Sequence, residues 1–592
     1  MRALAVGSLL GLLHLARATL GVSNKDAALD SSPPPPPSPP ILPNKDAARH
    51  NAHRIFKTLH SAGRQWGSST DHNGMSFFRA TVPEGSYLFH GAWSSERPNG
   101  YEWLAFEIEH AQNFAMAWDP EHGPPGPPGS PGGPGSPGGP GSPGGPGSPG
   151  DPGRPGPPGP PDHMTAEEAW AGLHGWKREH WAHGTKSLLF DQDAQHPMST
   201  SEDGKPAQPS RGYLQTYRAV RPLNLLYVDG MGAGKSRYGT LDTQDYVLRG
   251  KTPGEFEKSP SGGMGGEGER ASELCEMADE WSRQGGERID GIIRMEVGFE
   301  VIYCHFEEGG GLDLVNNDGT PLKNETGWVD FATRQFEWVR SASLRYDGFP
   351  KSRLEIDWSS IVSAYFYQIN LTNPDLRMSE MPRVVNTTKE ERAAIKSKVQ
   401  EKMTAQRQTD NDIEWQGIVD LVLTRYSNRL AYLWGEDITV EDMRQEVNFL
   451  LYSYINSDDP DQKPSLERCR SKHLETALLK RSKWTQEDEL IFTAVETVSE
   501  DICSTLIDMW EILAQKDASL AKPQRLLQDL KSRLAWSTWK RCSACASPGD
   551  VCFVAMFPVG TVEDHYNPRC KNKTEITGGQ RRGGSRGYWQ MW

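Results

Sequence analysis

The sequence predicts an α+β protein with an N-terminal mixed α/β domain, a mainly α-helical region and a disulfide-bearing tail. Segments rich in β-branched and aromatic residues are concentrated before about residue 310, which favours strands there. From about residue 329 onward, apolar residues recur at spacings of three and four, as in helices that bury one face. All eight cysteines lie between Cys275 and Cys570, and this even count favours disulfides.

The first residues have the three parts of a secretory signal peptide. Met1-Arg2 is followed by an apolar run from Ala3 to Leu15 and then by Ala16-Arg17-Ala18. The run is shorter than the roughly 20 apolar residues that span a membrane. The alternative to a signal peptide is a buried N-terminal helix. We therefore expect residues 1–18 to be a signal peptide and the protein to be secreted, extracellular and glycosylated. The sequons lie at Asn324, Asn370, Asn386 and Asn572.

Two segments have compositions that do not predict a packed core. Residues 19–50 contain a proline run and are predicted to be a disordered spacer. Residues 123–161 form thirteen Gly-X-Y triplets, the periodicity of collagen. A trimerising triple helix and an extended low-complexity insert are both compatible with this pattern. We favour the insert, because the run is short and both its ends join sequence predicted to fold.

The predicted mixed α/β domain spans residues 51–310 around that insert. A helix is expected over Ala47–Arg64 and another over Glu269–Arg283, while 236–268 is Gly-rich and predicted to be irregular. Gly291–Phe306 is expected to form one or two strands. The other expected strands include Tyr87–Phe89, Trp103–Phe106, Tyr213–Val220 and Leu223–Val228.

Residues 311–540 are predicted to be mainly helical, and residues 541–592 to form a cysteine-containing, partly disordered tail. The expected helices are Phe331–Leu344, Trp358–Tyr367, Glu390–Gln408, Asp412–Leu433, Val440–Ile455, Ser465–Arg481, Gln486–Leu513 and Pro523–Trp536. Proximity in sequence favours Cys275–Cys304 and Cys469–Cys503 as disulfides, with the last four cysteines pairing among themselves. The alternative for Cys542-Ser-Ala-Cys545 is a zinc site, which export into an oxidising compartment disfavours.

Several functional classes are disfavoured. A net charge of −14 argues against a nucleic-acid partner, and no segment after the signal is apolar enough to predict a membrane partner. Gly230 to Ser236 (GMGAGKS) resembles a phosphate-binding loop, but Asp229 occupies the position of the first glycine and would repel phosphate. We interpret it as a glycine-rich turn. No His/Cys cluster has metal-ligand spacing, so no metal cofactor is predicted.

Residues 78–117 (FRATVPEGSYLFHGAWSSERPNGYEWLAFEIEHAQNFAMA) contain a strand ending in His90-Gly91, an aromatic strand, and a short helix over Glu109–Ala117. This arrangement resembles the His-Tyr-Glu branch of the ADP-ribosyltransferase superfamily. The resemblance implies NAD as substrate and a protein target if ADP-ribose is transferred. It also implies His90 and Gly91 as NAD-binding residues and Phe114, in place of the family's tyrosine, as the ring stacking on nicotinamide.

The same resemblance implies Glu300 as the catalytic carboxylate, with Glu296 as the alternative. A carboxylate near the ribose would stabilise the positive charge that develops as the nicotinamide–ribose bond breaks. Each residue also has an ordinary structural interpretation. His90 would bond to nearby backbone at a strand end, Phe114 would belong to the core, and Glu300 would face solvent from a strand.

The whole chain also resembles a group of uncharacterised secreted proteins of filamentous fungi, through the blocks RQWGSSTDHNGMSFF, EWLAFEIEHAQNFA, NLLYVDGMGAGKS and DGIIRMEVGFEVIYC. Two functions follow as hypotheses. The protein binds NAD and either hydrolyses it or transfers ADP-ribose, or it is a non-catalytic secreted or wall-associated protein that keeps the fold as a scaffold.

Overall fold

A nine-stranded sheet is formed by strands that lie between Asn73 and Ser363 in the sequence. Its strand order is β8-β4-β2-β3-β7-β6-β5-β1-β9, and neighbouring strands are antiparallel except for the parallel pair β5–β6. The strands are β1 Asn73–Val82, β2 Tyr87–Ala92, β3 Glu102–Ala105, β4 Tyr213–Ala219, β5 Leu223–Gly230, β6 Gly291–Glu296, β7 Gly298–Tyr303, β8 Leu312–Gly319 and β9 Glu355–Ser363.

This architecture comes from a computed structural model. The predicted signal peptide, most of the proline-rich spacer and the Gly-X-Y insert lie outside the residues it describes. The described residues are 41–116, 210–253, 266–285, 287–307, 309–343, 348–407, 413–456, 458, 462–578 and 588–589.

Helices cover the sheet and form a bundle in the C-terminal half, so the described chain is mixed α/β with a helical C-terminal region. A π-helix, Thr243–Arg249, lies within the stretch predicted to be irregular. The α-helices are α1 Lys45–His50, α2 Ala52–Ser61, α3 Gln65–Thr70, α4 Ile108–Gln112, α5 Glu267–Gln284, α6 Phe331–Ser343, α7 Lys389–Thr404, α8 Trp415–Leu433, α9 Val440–Leu451, α10 Lys463–Ser471, α11 Glu475–Leu478, α12 Gln486–Leu513, α13 Ala521–Leu534, α14 Val562–Tyr566 and α15 Lys573–Gly578.

The longest helix shows how local sequence sets its boundaries. α12 starts after Thr485, whose side chain accepts a hydrogen bond from Asp488 N while the Asp488 carboxylate caps Thr485 N, a reciprocal capping box. Buried leucine, isoleucine and valine residues recur along its 28 residues. The helix has the bounds that its apolar periodicity predicts.

Two predicted helices are wrong in the structure. The segment expected as the helix Trp358–Tyr367 is instead strand β9 followed by one 3-10 turn, because β9 pairs with the edge of β1, as at Ser76↔Ser363. The single helix expected over Ala47–Arg64 is divided at Asn51. There the backbone leaves the helical conformation and the side-chain amide donates to Tyr365 O at 3.0 Å.

The predicted disulfides Cys275–Cys304 and Cys469–Cys503 are confirmed. The last four cysteines pair among themselves, as Cys542–Cys552 and Cys545–Cys570. The last two bonds hold an ordered tail in which β10 (Val551–Phe553) pairs with β11 (Arg569–Lys571). Much of the region predicted to be partly disordered is therefore folded. Among the described residues, no helix has both the length and the apolar character needed to cross a membrane.

Candidate functional site

Both candidate glutamates lie in the β6–β7 hairpin and point to the same face of the sheet. Glu296 ends β6 and Glu300 lies in β7, where it is the direct cross-strand partner of Arg294. Between them Gly298 adopts φ +87°, a left-handed conformation that glycine accepts without strain. Glu296 is 1% exposed and Glu300 5% exposed, so the structure does not support a solvent-facing Glu300.

His90 lies on the opposite face from Glu300. Phe89 pairs with Ala105 and Ala105 pairs with Glu300, so these three side chains share one face. Because successive residues of a strand point to opposite faces, His90 points away from that face. Its Nδ1 lies 2.8 Å from Trp103 O, and burial lowers its pKa to about 4. The structure therefore shows the strand-end contact with nearby backbone and does not bring His90 to the glutamates.

Gly91 and Phe114 lie on the glutamate side and have packing contacts there. A Cβ on Gly91 would lie 2.1 Å from Ala111 O, so the absence of a side chain lets α4 approach β2 closely. The Phe114 ring packs 5.7 Å from the His110 ring and 6.3 Å from the Trp338 ring, between centroids. These contacts place α4 over the hairpin.

That placement brings a second histidine to the glutamates. His110, on α4, offers a ring nitrogen that lies within 4.8 Å of carboxylate oxygens of Glu296 and Glu300. It is 2% exposed, and within the described residues its Nδ1 has no hydrogen-bond partner. Burial lowers its pKa to about 4, although the charge of Glu300 opposes that shift. In the sequence, His110 simply follows Glu109, and no local signal distinguishes it as a functional residue.

Lys235 of the glycine-rich loop is the cation at the centre of the cluster. Its Nζ lies 3.2 Å from Glu296 Oε2 and 3.9 Å from Glu267 Oε2, and the residue is 5% exposed. Burial opposes its charge, but Glu267, Glu296 and Glu300 outweigh burial and raise its pKa. The GMGAGKS segment therefore carries a lysine into an acidic site, as part of a turn after β5.

Arg294 joins Glu300 to the start of α5. Its Nε donates to Glu300 Oε1 at 3.0 Å, and its Nη2 contacts both Glu300 and Glu267. Burial alone would raise the pKa of Glu267, but Arg294, Lys235 and Arg270 lower it to about 2. Arg270 continues the network to Asp245 of the π-helix at 3.0 Å. A short π-helical segment is frequent at functional sites.

Glu296 is a member of the cluster that can exchange a proton near neutral pH. Burial raises the pKa of Glu296 to about 7, with Glu300 adding to the shift and Lys235 opposing it. His110, Glu296 and Glu300 have a spacing that could hold a metal ion. The Lys235 ammonium already supplies positive charge beside Glu296, so we assign the charge-balancing role to the lysine.

A comparison with protein families matches a region that includes this cluster. Residues 45–332 match the family model described as the YPL277C N-terminal domain. The chain is therefore similar to uncharacterised fungal proteins. The chain is 25% identical over 368 residues to the uncharacterized protein YOR389W of Saccharomyces cerevisiae, covering 54% of this chain and 48% of the relative.

A second yeast relative gives the same result. The chain is 25% identical over 366 residues to the uncharacterized protein YPL277C of Saccharomyces cerevisiae, covering 54% of this chain and 62% of that relative. The chain thus spans about half the length of one curated relative and less than two thirds of the other. No solved structure matches it.

Proposed function

We propose that the protein is an exported enzyme that cleaves a glycosidic bond through Glu296 and Glu300, and that the nicotinamide–ribose bond of NAD is the first substrate to test. One observation carries the proposal: both carboxylates and His110 converge within 4.8 Å in a buried site. The resemblance of residues 78–117 to ADP-ribosyltransferases supports NAD. It no longer supports His90 as an NAD ligand, because His90 lies on the other face of the sheet.

The chemistry divides between the two carboxylates. When the bond from ribose C1′ to nicotinamide breaks, neutral nicotinamide leaves with the electron pair and C1′ becomes positively charged. Glu300, bound to the Arg294 guanidinium, is assigned to stabilise that charge. Glu296, with a pKa of about 7, accepts the proton of the attacking water or protein hydroxyl. Water as acceptor yields ADP-ribose, and a protein acceptor yields an ADP-ribosylated target.

The test is nicotinamide release from NAD by the purified, disulfide-intact chain, because release reports both hydrolysis and transfer. Glu300→Gln and Glu296→Gln are each expected to lower the rate by about a hundredfold or more. Glu337→Gln, at a partly exposed position of α6, is the matched control. His90→Ala should keep most of the activity of its folded fraction. No release by the natural chain, with or without an added fungal protein extract as acceptor, would contradict the proposal.

A second candidate is the non-catalytic scaffold, and burial favours it. Glu267, Glu296 and Glu300 all have cationic partners within the chain, and none of these glutamates is more than 5% exposed. A cavity of about 270 Å³ lies elsewhere, lined by Gly63, Trp358 and other residues near β9. If the cluster only stabilises the fold, Glu300→Gln will lower the unfolding temperature while the natural chain releases no nicotinamide.

Export is part of the same proposal. All eight cysteines form disulfides, and such bonds persist mainly in oxidising compartments. The four sequon asparagines are exposed, as glycan attachment requires: Asn324, Asn370, Asn386 and Asn572. Expression in a fungal host should yield protein in the medium whose electrophoretic mobility increases after glycan removal. Retention of unglycosylated protein inside the cell would contradict export.

A further inference from the structure

The C-terminal aromatic pair Tyr588–Trp589 is docked into the fold. Tyr588 is 2% exposed and Trp589 8% exposed. Tyr588 N donates to Gly560 O at 2.9 Å, and Trp589 Nε1 donates to Val559 O at 3.2 Å. Backbone and side-chain contacts therefore fix both residues against the disulfide-bonded tail.

The pair contacts the start of β1 through His72. The His72 Nδ1 lies 2.7 Å from Asn73 Oδ1, which leaves Nε2 to accept from the Tyr588 hydroxyl at 2.8 Å. The Tyr588 ring stacks on His565 at 4.3 Å, and the Trp589 ring lies 5.1 Å from the His72 ring, between centroids. The tail and the start of β1 are thus joined by an aromatic cluster with a directional hydrogen bond.

The same cluster holds both ends of the loop that follows β5. At the start of this loop, Met231 N donates to His72 O at 2.9 Å. Near its end, the Tyr238 ring lies 5.3 Å from the Tyr588 ring and Tyr238 O accepts from Asn73 Nδ2 at 2.6 Å. The loop over residues 231–238 therefore lies between the sheet and the tail.

The middle of the loop carries the lysine of the carboxylate cluster. A Cβ on Gly234 would lie 3.3 Å from Phe557 Cβ, so the tail packs directly on the residue before Lys235. Phe557 itself packs 5.8 Å from Trp589, between ring centroids. On the other side, Ala233 N donates to Met295 O at 3.1 Å, next to Glu296. One short segment thus connects the docked aromatic pair to the site.

We propose that docking of Tyr588–Trp589 holds the 231–238 loop in place and so positions Lys235 against Glu296. The C-terminal pair is then a positioning element for the carboxylate cluster rather than part of a disordered end. The importance of this positioning for catalysis rests on the proposed function, whereas the coupling between the pair and the loop can be measured without substrate.

The test compares amide hydrogen exchange of the full-length, disulfide-intact natural chain with that of Tyr588→Ala/Trp589→Ala. We expect exchange at residues 231–238 to accelerate by about tenfold to a hundredfold, because the variant loses aromatic packing and two side-chain hydrogen bonds, from Tyr588 to His72 and from Trp589 to Val559 O. Tyr588→Phe keeps the ring and loses only the hydroxyl contact with His72. It should give a smaller acceleration at the same peptides.

Controls separate local from global effects. Exchange in α12 should not change, and Tyr452→Ala, which removes an aromatic side chain that is 83% exposed, should leave residues 231–238 as in the natural chain. Unchanged exchange at 231–238 in the double variant would overturn the proposal. An equal acceleration in α12 would also overturn it, since the pair would then stabilise the whole fold. If the natural chain releases no nicotinamide but the loop responds as expected, only the proposed function fails.

Discussion

Replacing Lys235 by methionine tests whether the buried cluster depends on its central cation. Lys235→Met keeps an unbranched side chain of similar length and removes the ammonium that lies 3.2 Å from Glu296 and 3.9 Å from Glu267. Glu267 retains Arg294 and Arg270, whereas Glu296 loses its nearest cation. We therefore expect the loss of stability to come mainly from the unpaired carboxylate of Glu296.

The expected magnitude follows from burial. Removing one partner of a buried ion pair costs about 3–5 kcal/mol, because the other charge is left unpaired. Glu296 can escape part of this cost by taking up a proton, since its pKa is already about 7. We expect a loss near 3 kcal/mol, a large fraction of the roughly 5–15 kcal/mol that stabilises a typical domain.

The stability that Lys235→Met loses should increase as pH rises. A carboxyl whose pKa is raised in the folded state destabilises the protein increasingly as pH rises, because the folded state resists losing the proton. Without Lys235, the pKa of Glu296 rises further. The cost of Lys235→Met in free energy of unfolding should therefore grow between about pH 6 and about pH 8.

The assay is urea unfolding followed by tryptophan fluorescence at both pH values, with disulfides intact. Lys235→Met/Glu296→Gln removes both charges and should cost less than the sum of the single variants by at least about 1 kcal/mol. Lys323→Met, at an exposed position, is the matched control. The reasoning would be refuted if the double variant lost as much stability as the two single variants together. It would also be refuted if the loss of stability in Lys235→Met did not change with pH.

Two further predictions concern residues implied in NAD binding. Gly91→Ala puts Cβ 2.1 Å from Ala111 O and should lower the free energy of unfolding, measured in urea, by at least about 1–3 kcal/mol. In the control Gly417→Ala the nearest contact of the new Cβ is at 3.6 Å, so this variant should stabilise α8 by up to about 1 kcal/mol. A neutral Gly91→Ala would contradict the close approach. Burial lowers the pKa of His90 from 6.5 to about 4, so the natural chain loses about 2 kcal/mol from this group by about pH 5. His90→Gln avoids that loss, and its stability relative to the natural chain should improve by this amount between about pH 7.5 and about pH 5; an unchanged difference would argue against a buried neutral imidazole.

Predictions that rest on neighbouring residues agree with the structure. The bounds of α12 follow from a capping residue and an apolar stripe, both of which act within one or two helical turns. The pairing Cys275–Cys304 follows from proximity in sequence. By contrast, Trp358 and the residues after it have a helix-like spacing yet lie in or beside β9. The partner that decides this, β1, is nearly 300 residues away in the sequence.

The residues of the candidate site were likewise predictable only in part from the sequence. The sequence indicated the carboxylates of Glu296 and Glu300, but it indicated His90 as their partner where the structure places His110. Successive residues of a strand point to opposite faces of the sheet. A candidate residue that is wrong by one position therefore lies on the wrong face. The contribution of Lys235 could not be recognised either, because a loop after one strand meets a carboxylate on another only when β5 and β6 pair.

Local sequence was enough to predict the α+β composition, most helix and strand positions, and the disulfides Cys275–Cys304 and Cys469–Cys503, because periodicity, capping and short loop closure act over few residues. Long-range contacts set which histidine faces the glutamates, which cation neutralises them, and that the cysteine-bearing tail packs on the lysine loop. Each of these outcomes depends on strand order, register and face. Such features arise only when distant segments bury their apolar surfaces together.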